Sequence, residues 1–205
     1  MLLADIGNTH THLFDGHVVT HLSHEEAIEI HGKEALQYIS VKRSIEERID
    51  SDTEWENISS RIVLEGAYET MGVDRQALCL SYEEGLFVDA GSAITVDVVE
   101  EGVYKGGFIF PGLRAAMRSY AEISPVLDRE LNRQVSLECL PLTTKDGISY
   151  GIIASIKALI EKHQGGKMLY FTGGDGAFLS TLFAGSVFDE TLLFRGMMKV
   201  LERNG

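Results

Sequence analysis

The sequence predicts an α/β protein of two lobes, each a mixed β-sheet flanked by helices. The first observation is an internal repeat: the apolar strand and polar turn of Leu2–Thr11 return at Leu86–Thr95, with Asp89 in the place of Asp5. The second is that long segments with helical apolar spacing alternate with strand-like segments, which is typical of α/β proteins.

Each copy of the repeat continues through a second apolar segment and an acid-glycine turn into a third strand-like segment. The turns are Asp15-Gly16 and Glu101-Gly102, and an Asp-Gly turn is a strong short-range signal of a β-hairpin. A chain of 205 residues can bury one large core or two small ones. The repeat therefore predicts an N-terminal lobe over residues 1–85 and a C-terminal lobe over residues 86–205.

The segments between the two copies predict helices and one further strand. Ser23-His24-Glu25-Glu26 has the spacing of a capping box, which predicts a short helix that stops at Gly32. Gln37–Val41 is strand-like, and the charge-rich stretch 42–62 is interpreted as solvated helices and a connection whose charges lie on the surface. A further helix is predicted to start near Gln76.

The second half continues the alternation of strands and helices. Tyr104–Phe110 predicts the third strand of the second unit, and a helix from Leu113 is expected to end at Pro125. The sequence does not decide whether residues 129–140 form a lid, a loop or part of a partner contact. A long helix is predicted after Thr143-Thr144, then a strand at Lys167–Phe171, and finally two closing helices.

The charge of the chain limits its partners. Asp and Glu outnumber Lys and Arg by 31 to 18, for a formal net charge of −13 and a pI near 4.9. Nucleic acid is disfavoured as a binding partner, because a chain so acidic is repelled by a polyphosphate surface. An anionic nucleotide would need a metal ion, backbone dipoles or a few focused cations to bind.

Several features favour a cytoplasmic protein without a membrane partner. The amino terminus begins directly with a strand, and no segment approaches the ~18–20 apolar residues that cross a bilayer. Cys79 and Cys139 lie far apart and outside any Cys-x-x-Cys spacing, so two buried free thiols are expected. The clustered N-terminal histidines have no matching cysteine or carboxylate frame, so they are interpreted as surface residues and not as zinc ligands.

Three polar turns follow apolar strands, where open α/β sheets bind ligands. They contain Asp5-Ile6-Gly7, Asp89-Ala90-Gly91 and Thr172-Gly173-Gly174, and three turns of phosphate size predict a nucleotide site. A Walker A sequence and a well-placed Gly-x-Gly-x-x-Gly are absent, which argues against P-loop and dinucleotide folds.

Particular side chains in these turns suit phosphoryl transfer. Asp5 is the predicted magnesium anchor, because Mg²⁺ prefers carboxylate, water and phosphate oxygens. The hydroxyls and amide of the first turn could donate to phosphate. An acceptor hydroxyl needs a base, and Asp74 is a candidate, with Arg75 as an anion clamp. Spacing alone leaves open that this pair is an ordinary surface or helix-start pair.

These residues resemble those of a known family, the type III pantothenate kinases of the actin and sugar-kinase superfamily. The resemblance spans nearly the whole chain, and its motifs, in this order, are highly specific. They are Asp5-Ile6-Gly7-Asn8-Thr9, Gly72-Val73-Asp74-Arg75, Asp89-Ala90-Gly91-Ser92-Ala93, Gly106-Gly107-Phe108-Ile109-Phe110-Pro111-Gly112 and Thr172-Gly173-Gly174.

The resemblance implies a fold of two duplicated actin- or ribonuclease H-like lobes with the nucleotide cleft between them. It also implies ATP-dependent phosphorylation of the primary hydroxyl of pantothenate to 4′-phosphopantothenate, the first step towards coenzyme A. By the same resemblance Asp74 is the general base. The residues implied to bind ATP are Asp5, Ile6, Gly7, Asn8, Thr9, His10, Thr11, His12 and Ser92.

The remaining implications concern the acceptor, the cations and the assembly. Pantothenate is expected to contact Tyr68, Gly72, Val73, Asp74, Arg75 and Thr144. ATP is expected with Mg²⁺, and Asp89 is expected near a monovalent cation, K⁺ or NH₄⁺. The family's members are homodimers with the active site at the subunit interface, with dimerisation helices in the C-terminal lobe. Which subunit supplies Tyr68 or Thr144 is left open.

The chain departs from the family pattern at two places. Ser92 stands where threonine is usual, which keeps the hydroxyl and loses a methyl group. The first lobe is shortened between Ile30 and Ile62. The alternative function is a superfamily relative that binds or hydrolyses nucleotide, or a regulator, without pantothenate as acceptor. The presence of Asp74 and Arg75 favours the kinase, because a nucleotide sensor needs no acceptor base.

Overall fold

Two five-stranded sheets with the same connectivity carry the fold. The computed structural model describes residues 1–203, apart from the side chain of Arg43. The first sheet has the order β3-β2-β1-β4-β5 and the second has the order β10-β9-β6-β7-β8. The strands are β1 Leu2–Ile6, β2 Thr11–Phe14, β3 Val19–Leu22, β4 Leu36–Ser40, β5 Trp55–Asn57, β6 Gly85–Ala90, β7 Ala93–Glu100, β8 Val103–Pro111, β9 Leu169–Thr172 and β10 Val187–Phe188.

The strand orders confirm the predicted duplication and the α/β fold of two mixed sheets. In each sheet the three strands of the repeat lie side by side, and the next two strands along the chain extend the sheet beyond the first strand. In the first sheet β1 pairs antiparallel with β2 and parallel with β4, so that Ile6 is opposite Ser40. In the second sheet β6 pairs parallel with β9 in the corresponding way.

Seven α-helices lie between or after the strands of the described chain. They are α1 His24–His31, α2 Arg43–Asp52, α3 Val73–Cys79, α4 Leu113–Ile123, α5 Thr144–Gln164, α6 Gly176–Ser180 and α7 Leu192–Arg203. The predicted capping box at Ser23 is present in both directions, and α1 is followed by Gly32 as its C-cap. The helix α4 ends before Pro125, as predicted.

The first compact unit contains residues 1–84, 99–105 and those from Glu190 onward. Its core is formed where α7 packs on α3 and the first sheet, with Leu3, Ile39, Phe194 and Met197 all buried. The predicted boundaries, 1–85 and 86–205, instead assign α7 to the C-terminal lobe. The apolar face of α7 is what places this helix with the first sheet, because its buried side chains contact Phe14 and Ala77.

The second compact unit contains residues 85–98 and 106–189. Its core lies between the second sheet and α5, and includes Val88, Ile94, Ile156, Ile160 and Phe171. Most of the apolar stripe predicted for α5 is therefore core. Residues 129–140 form turns and irregular backbone.

Some local predictions differ from the structure. The charge-rich stretch 42–62 contains the short strand β5 in addition to α2, and β10 lies between the two closing helices. Cys79 is buried, but Cys139 is exposed in the loop before α5, so the expectation of two buried thiols is wrong for Cys139. Among residues 1–203, no helix combines the length and apolar character needed to cross a membrane.

The two acid-glycine turns have the backbone that a tight hairpin requires. Gly16 has a φ of 103°, and the Asp15 carboxylate accepts hydrogen bonds from the backbone N–H groups of His17 and Val18. In the second copy Glu101 and Gly102 both have positive φ, at 52° and 76°, as a type I′ turn demands. The predicted hairpins are confirmed.

Candidate active site

The first polar turn forms a short loop between β1 and β2. Residues 7–10 make the connection, and the Gly7 N–H donates to the His10 carbonyl over 3.0 Å. Asp5, the penultimate residue of β1, is only 8% exposed, and Thr11 at the start of β2 is buried. The loop therefore places a carboxylate and hydroxyl-bearing side chains together at the end of one strand.

Two basic side chains lie beside this loop, although sequence patterns assigned both to the surface. The Lys42 Nζ donates to the Asn8 carbonyl over 2.9 Å. The Thr11 Oγ1 is 2.9 Å from the His24 Nδ1. Burial lowers the pKa of His24, and the positive charge of Lys42 lowers it further. The usable signal for Lys42 was its position two residues after β4, because the carboxyl ends of parallel neighbouring strands lie at one edge of a sheet.

Two further histidines form a pair across β2 and β3. The His12 Nδ1 and the His21 Nδ1 are 2.6 Å apart, and their rings meet edge to face. One imidazole must donate and the other accept, so at least one of the two is neutral. Burial lowers the pKa of His12 to about 4, with smaller contributions from the charges of His21, His10 and His24.

This lowered pKa predicts an acid-sensitive fold. An unfolded chain protonates His12 near pH 6.5, whereas the folded protein resists protonation until about pH 4. The stability contribution is therefore complete above pH 6.5 and is lost as the pH falls from there through about 4. We expect His12→Gln to reduce the fall in melting temperature between pH 7 and pH 5, measured by circular dichroism. His17→Gln, at an exposed turn, controls for the loss of one imidazole, and an unchanged pH dependence in His12→Gln contradicts the assignment.

The Gly-x-Asp-Arg segment forms the start of α3. Gly72 is the N-cap and Asp74 lies in the first turn, where its Oδ1 accepts a hydrogen bond from the Arg75 N–H over 2.7 Å. A Cβ atom at Gly72 would lie 2.4 Å from this same Oδ1. Glycine at 72 therefore leaves the space that the Asp74 carboxylate occupies, which explains why the two residues belong to one motif.

Arg75 is a buried cation held by two tyrosines. Its side chain is 7% exposed, and its Nη1 donates to the Tyr68 hydroxyl over 2.6 Å. The Nη2 is 3.4 Å from the Tyr104 hydroxyl, and the guanidinium lies 5.8 Å from the Tyr68 ring centre. Tyr104 carried no sequence signal for this role, because it lies in a strand far along the chain. The tyrosines fix the direction of the guanidinium fork.

The first loop and the Asp74 turn lie near each other at one edge of the first sheet. The residue that links them is Val41, which follows β4: its N–H donates to the Ile6 carbonyl over 3.2 Å. Its Cγ1 is also 3.8 Å from where a Cβ at Gly72 would lie. The predicted phosphate loop and the predicted base are thus brought to the carboxyl ends of two adjacent parallel strands, β1 and β4.

In the second unit the structure brings Asp89 together with the late glycine turn. Gly173 has a φ of 83°, and a Cβ there would lie 2.4 Å from the Asp89 Oδ1 and 2.8 Å from the Ala90 carbonyl oxygen. Ser92 lies in the β6–β7 turn, and its carbonyl accepts from the Gly112 N–H over 3.1 Å. Thr144 is exposed and is the first residue of α5.

The oxygen-rich surroundings fit the expected cations. Asp5 offers one buried carboxylate, and a single carboxylate with phosphate and water oxygens is a usual Mg²⁺ environment. Gly173 lies close to the Asp89 carboxylate and the Ala90 carbonyl oxygen, and such oxygen atoms are ligands that suit a hard monovalent cation. Within residues 1–203, no three His, Cys, Asp or Glu side chains are grouped to hold a metal on their own.

The family model for type III pantothenate kinase matches residues 40–164. A type III pantothenate kinase of Helicobacter hepaticus is 42% identical over 204 residues, covering 99% of both chains. One from Campylobacter jejuni strain RM1221 is 39% identical over 204 residues, covering 100% of this chain and 98% of the relative.

Solved structures agree on the fold. A crystal structure from Campylobacter jejuni, of a protein described as a Baf family transcriptional activator, has a TM-score of 0.91 at 37% identity and covers 100% of this chain and 98% of the other. A Sinorhizobium meliloti protein described as a 2-dehydro-3-deoxygalactonokinase has a TM-score of 0.61 at 9% identity, and the match covers 98% of this chain and 96% of the other. At this identity the match supports the fold and no shared function. By the match of its family model and its relatives over the full length, this chain belongs to the type III pantothenate kinase family.

Proposed function

We propose that this chain transfers the γ-phosphoryl group of ATP to the primary hydroxyl of pantothenate, which yields 4′-phosphopantothenate and ADP in the first step of coenzyme A synthesis. The observation that carries the proposal is the placement of the Asp74 turn beside the first loop through Val41. One edge of one sheet thereby presents both a nucleotide loop and an acceptor base. The use of ATP is consistent with a cytoplasmic location.

Asp74 acts as the general base in this reaction. The Arg75 N–H holds one carboxylate oxygen at 2.7 Å, which orients the other towards the acceptor hydroxyl. Asp74 takes the hydroxyl proton while the oxygen attacks the γ-phosphorus, and the bond to the β-phosphate bridging oxygen breaks to release ADP. Since phosphoryl transfer depends mostly on positioning and charge, a fixed base is the main chemical group the protein must supply.

The nucleotide contacts proposed here are the residues that the family pattern implies. A Mg²⁺ ion bound with the nucleotide would supply positive charge to neutralise the transferred phosphoryl group. Asp5 is the residue that would hold it, since its carboxylate is buried at the end of β1. The full set proposed for ATP is Asp5, Ile6, Gly7, Asn8, Thr9, His10, Thr11, His12 and Ser92.

Arg75 binds the carboxylate of pantothenate. A guanidinium presents two parallel N–H donors to a carboxylate, and the tyrosine hydroxyls hold this one in place. The set proposed for pantothenate is Tyr68, Gly72, Val73, Asp74, Arg75 and Thr144. A monovalent cation, K⁺ or NH₄⁺, is proposed beside Asp89 and the Ala90 carbonyl, where its charge offsets the acidity of the chain.

A homodimer is proposed on the exposed apolar side chains of the second unit. Four of them lie in the segment between the end of α4 and the start of α5, and large apolar side chains that are exposed in number favour an interface. They are Ile123, Val126, Leu140 and Leu142, and Leu142 is 99% exposed. The occupant proposed is a second copy of this chain. Thr144 lies two residues beyond Leu142 in the sequence. Its hydroxyl is therefore proposed to contact pantothenate bound by the partner subunit.

The alternative function, a nucleotide-binding regulator, has one observation in its favour: the Campylobacter jejuni relative is described as a transcriptional activator. The net charge of −13 opposes binding to DNA. The arrangement of Asp74 against Gly72 and Arg75 favours the kinase, because a regulator of that kind needs no acceptor base.

The test separates the two functions directly. Purified protein with ATP, Mg²⁺ and K⁺ is assayed for ADP with and without pantothenate. The kinase releases ADP only when pantothenate is added. Equal ADP release in both reactions, or none in either, would reject the assignment.

We expect Arg75→Lys to raise the KM for pantothenate about 10-fold or more, because a lysine cannot form the paired bonds that a charged guanidinium makes. The KM for ATP should change much less. Steady-state kinetics with each substrate varied in turn give both values. Arg61→Lys, where an exposed arginine pairs with Glu56 on the surface, is the matched control and should behave as wild type. A rise of the same size in both KM values for Arg75→Lys would contradict this role.

A further inference from the structure

The first loop has to bind a polyanion without a permanent positive charge of its own. Residues 1–32 contain no lysine or arginine, and the whole chain has a net charge of −13. Backbone N–H groups and hydroxyls can hold phosphate, but they do not compensate its charge. A cation must therefore come from elsewhere in the first unit, from the second unit, or from solution.

Lys42 is placed to supply this charge. It lies two residues after the end of β4, and its backbone N–H donates to the Ser40 Oγ over 3.1 Å. Its side chain then reaches the loop, where Nζ donates to the Asn8 carbonyl over 2.9 Å. An ammonium group has three N–H donors, and the Asn8 carbonyl takes one. The other two are available to an oxygen atom bound in the loop.

We propose that Lys42 binds a phosphate oxygen of ATP. Lys42 lies outside the first loop and is not among the ATP-binding residues that the family pattern implies. This inference rests on the proposed function and adds one residue to its nucleotide site. Lys42 is a point charge on a flexible stem, so its Nζ can bond the loop and the phosphate together. The positive charge of Lys42 also lowers the pKa of His24, which contacts Thr11 of the same loop, so the ammonium and the loop share one electrostatic environment.

The test is a direct binding measurement on the full chain. Isothermal titration calorimetry with MgATP, in the absence of pantothenate, gives the Kd for wild type, Lys42→Met, Lys42→Arg and Lys33→Met. We expect Lys42→Met to weaken ATP about 10- to 100-fold, as for loss of one charged hydrogen bond. Lys42→Arg should retain most of the affinity. Lys33 is exposed, so Lys33→Met makes the same change in net charge and should bind ATP like wild type.

A second measurement separates a phosphate contact from a role in shaping the loop. If Lys42 contacts phosphate, the loss in Lys42→Met is large for ATP, absent for adenosine, and shrinks as tetramethylammonium chloride is raised at a fixed KCl concentration, because salt screens the charge. A loss that does not change with tetramethylammonium chloride, or one equally large for adenosine, overturns the proposal, as does an affinity equal to that of Lys33→Met. Wild-type protein that fails to bind ATP overturns the proposed function as well, whereas an active wild type with an unaffected Lys42→Met overturns only this inference.

Discussion

Asp74→Asn is expected to lower kcat for pantothenate phosphorylation by about 10²- to 10⁴-fold, the usual contribution of a general base. The change keeps the shape of the side chain, and the remaining oxygen can still accept the Arg75 N–H. The carboxamide cannot take the hydroxyl proton. ADP release in the presence of pantothenate measures the loss.

Three further results make this test specific. The Kd for MgATP should stay near that of wild type, because Asp74 is not assigned to the nucleotide. The melting temperature should also be retained. Asp52→Asn, at an exposed end of α2, makes the same chemical change on the surface and should leave kcat unaltered. A kcat for Asp74→Asn within about twofold of wild type would remove Asp74 from the chemistry.

Gly196→Ala is expected to destabilise the protein by about 3 kcal/mol or more, near the upper end for an overpacked core. An added Cβ at this position in α7 would lie 1.7 Å from the Ala77 carbonyl oxygen of α3 and 2.7 Å from its carbon. Both are backbone atoms, so relief requires the two helices to separate. Since α3 also carries Asp74 and Arg75, we expect the displacement to lower activity in any protein that remains folded.

Thermal and urea unfolding measure this effect. A loss of this size corresponds to a fall in melting temperature of roughly 6–12 °C for a chain of this length. Gly151→Ala in α5 is the control, because its Cβ would meet only the Tyr120 hydroxyl at 4.0 Å. Removing a helical glycine there should be neutral or stabilise by up to about 1 kcal/mol. An unchanged melting temperature in Gly196→Ala would show that α7 does not pack on α3 in this way.

The elements that follow local rules could be predicted from sequence. The acid-glycine turns need positive φ, and both hairpins are where the repeat places them. The Ser23 capping box and the Pro125 stop depend on neighbouring residues alone, and both are present. The adjacency of β1, β2 and β3 in one sheet, and of β6, β7 and β8 in the other, then follows from the duplicated hairpin unit.

Features that depend on distant contacts could not be predicted in this way. The strands β5 and β10 have only three and two residues, too short for any periodic pattern, and each is held by its neighbour in the sheet. The helix α7 belongs to the first unit because Phe194 packs against Phe14, with their rings 5.2 Å apart. Nothing in the local sequence of α7 specifies that partner.

The candidate site also contains residues that local sequence predicts and residues that only distant contacts bring in. The motif residues, including Asp74 and the first loop, were predicted because they form continuous stretches with a recognisable family pattern. The contacts of Lys42 and Tyr104 were missed, because each reaches a motif residue through one side chain from a distant part of the sequence. Lys42 lies in a charge-rich stretch, so its sequence context predicts an exposed surface residue. Only the parallel pairing of β1 and β4 shows that it lies beside the first loop.

The identity of the phosphorylated product distinguishes a pantothenate kinase from a protein that only hydrolyses nucleotide. Wild-type protein is incubated with ATP, Mg²⁺, K⁺ and pantothenate, and the products are quantified by mass spectrometry and ³¹P NMR. We expect 4′-phosphopantothenate and ADP in equal amounts, with no phosphorylated product when pantothenate is omitted. ADP accompanied by inorganic phosphate in place of 4′-phosphopantothenate would contradict this expectation.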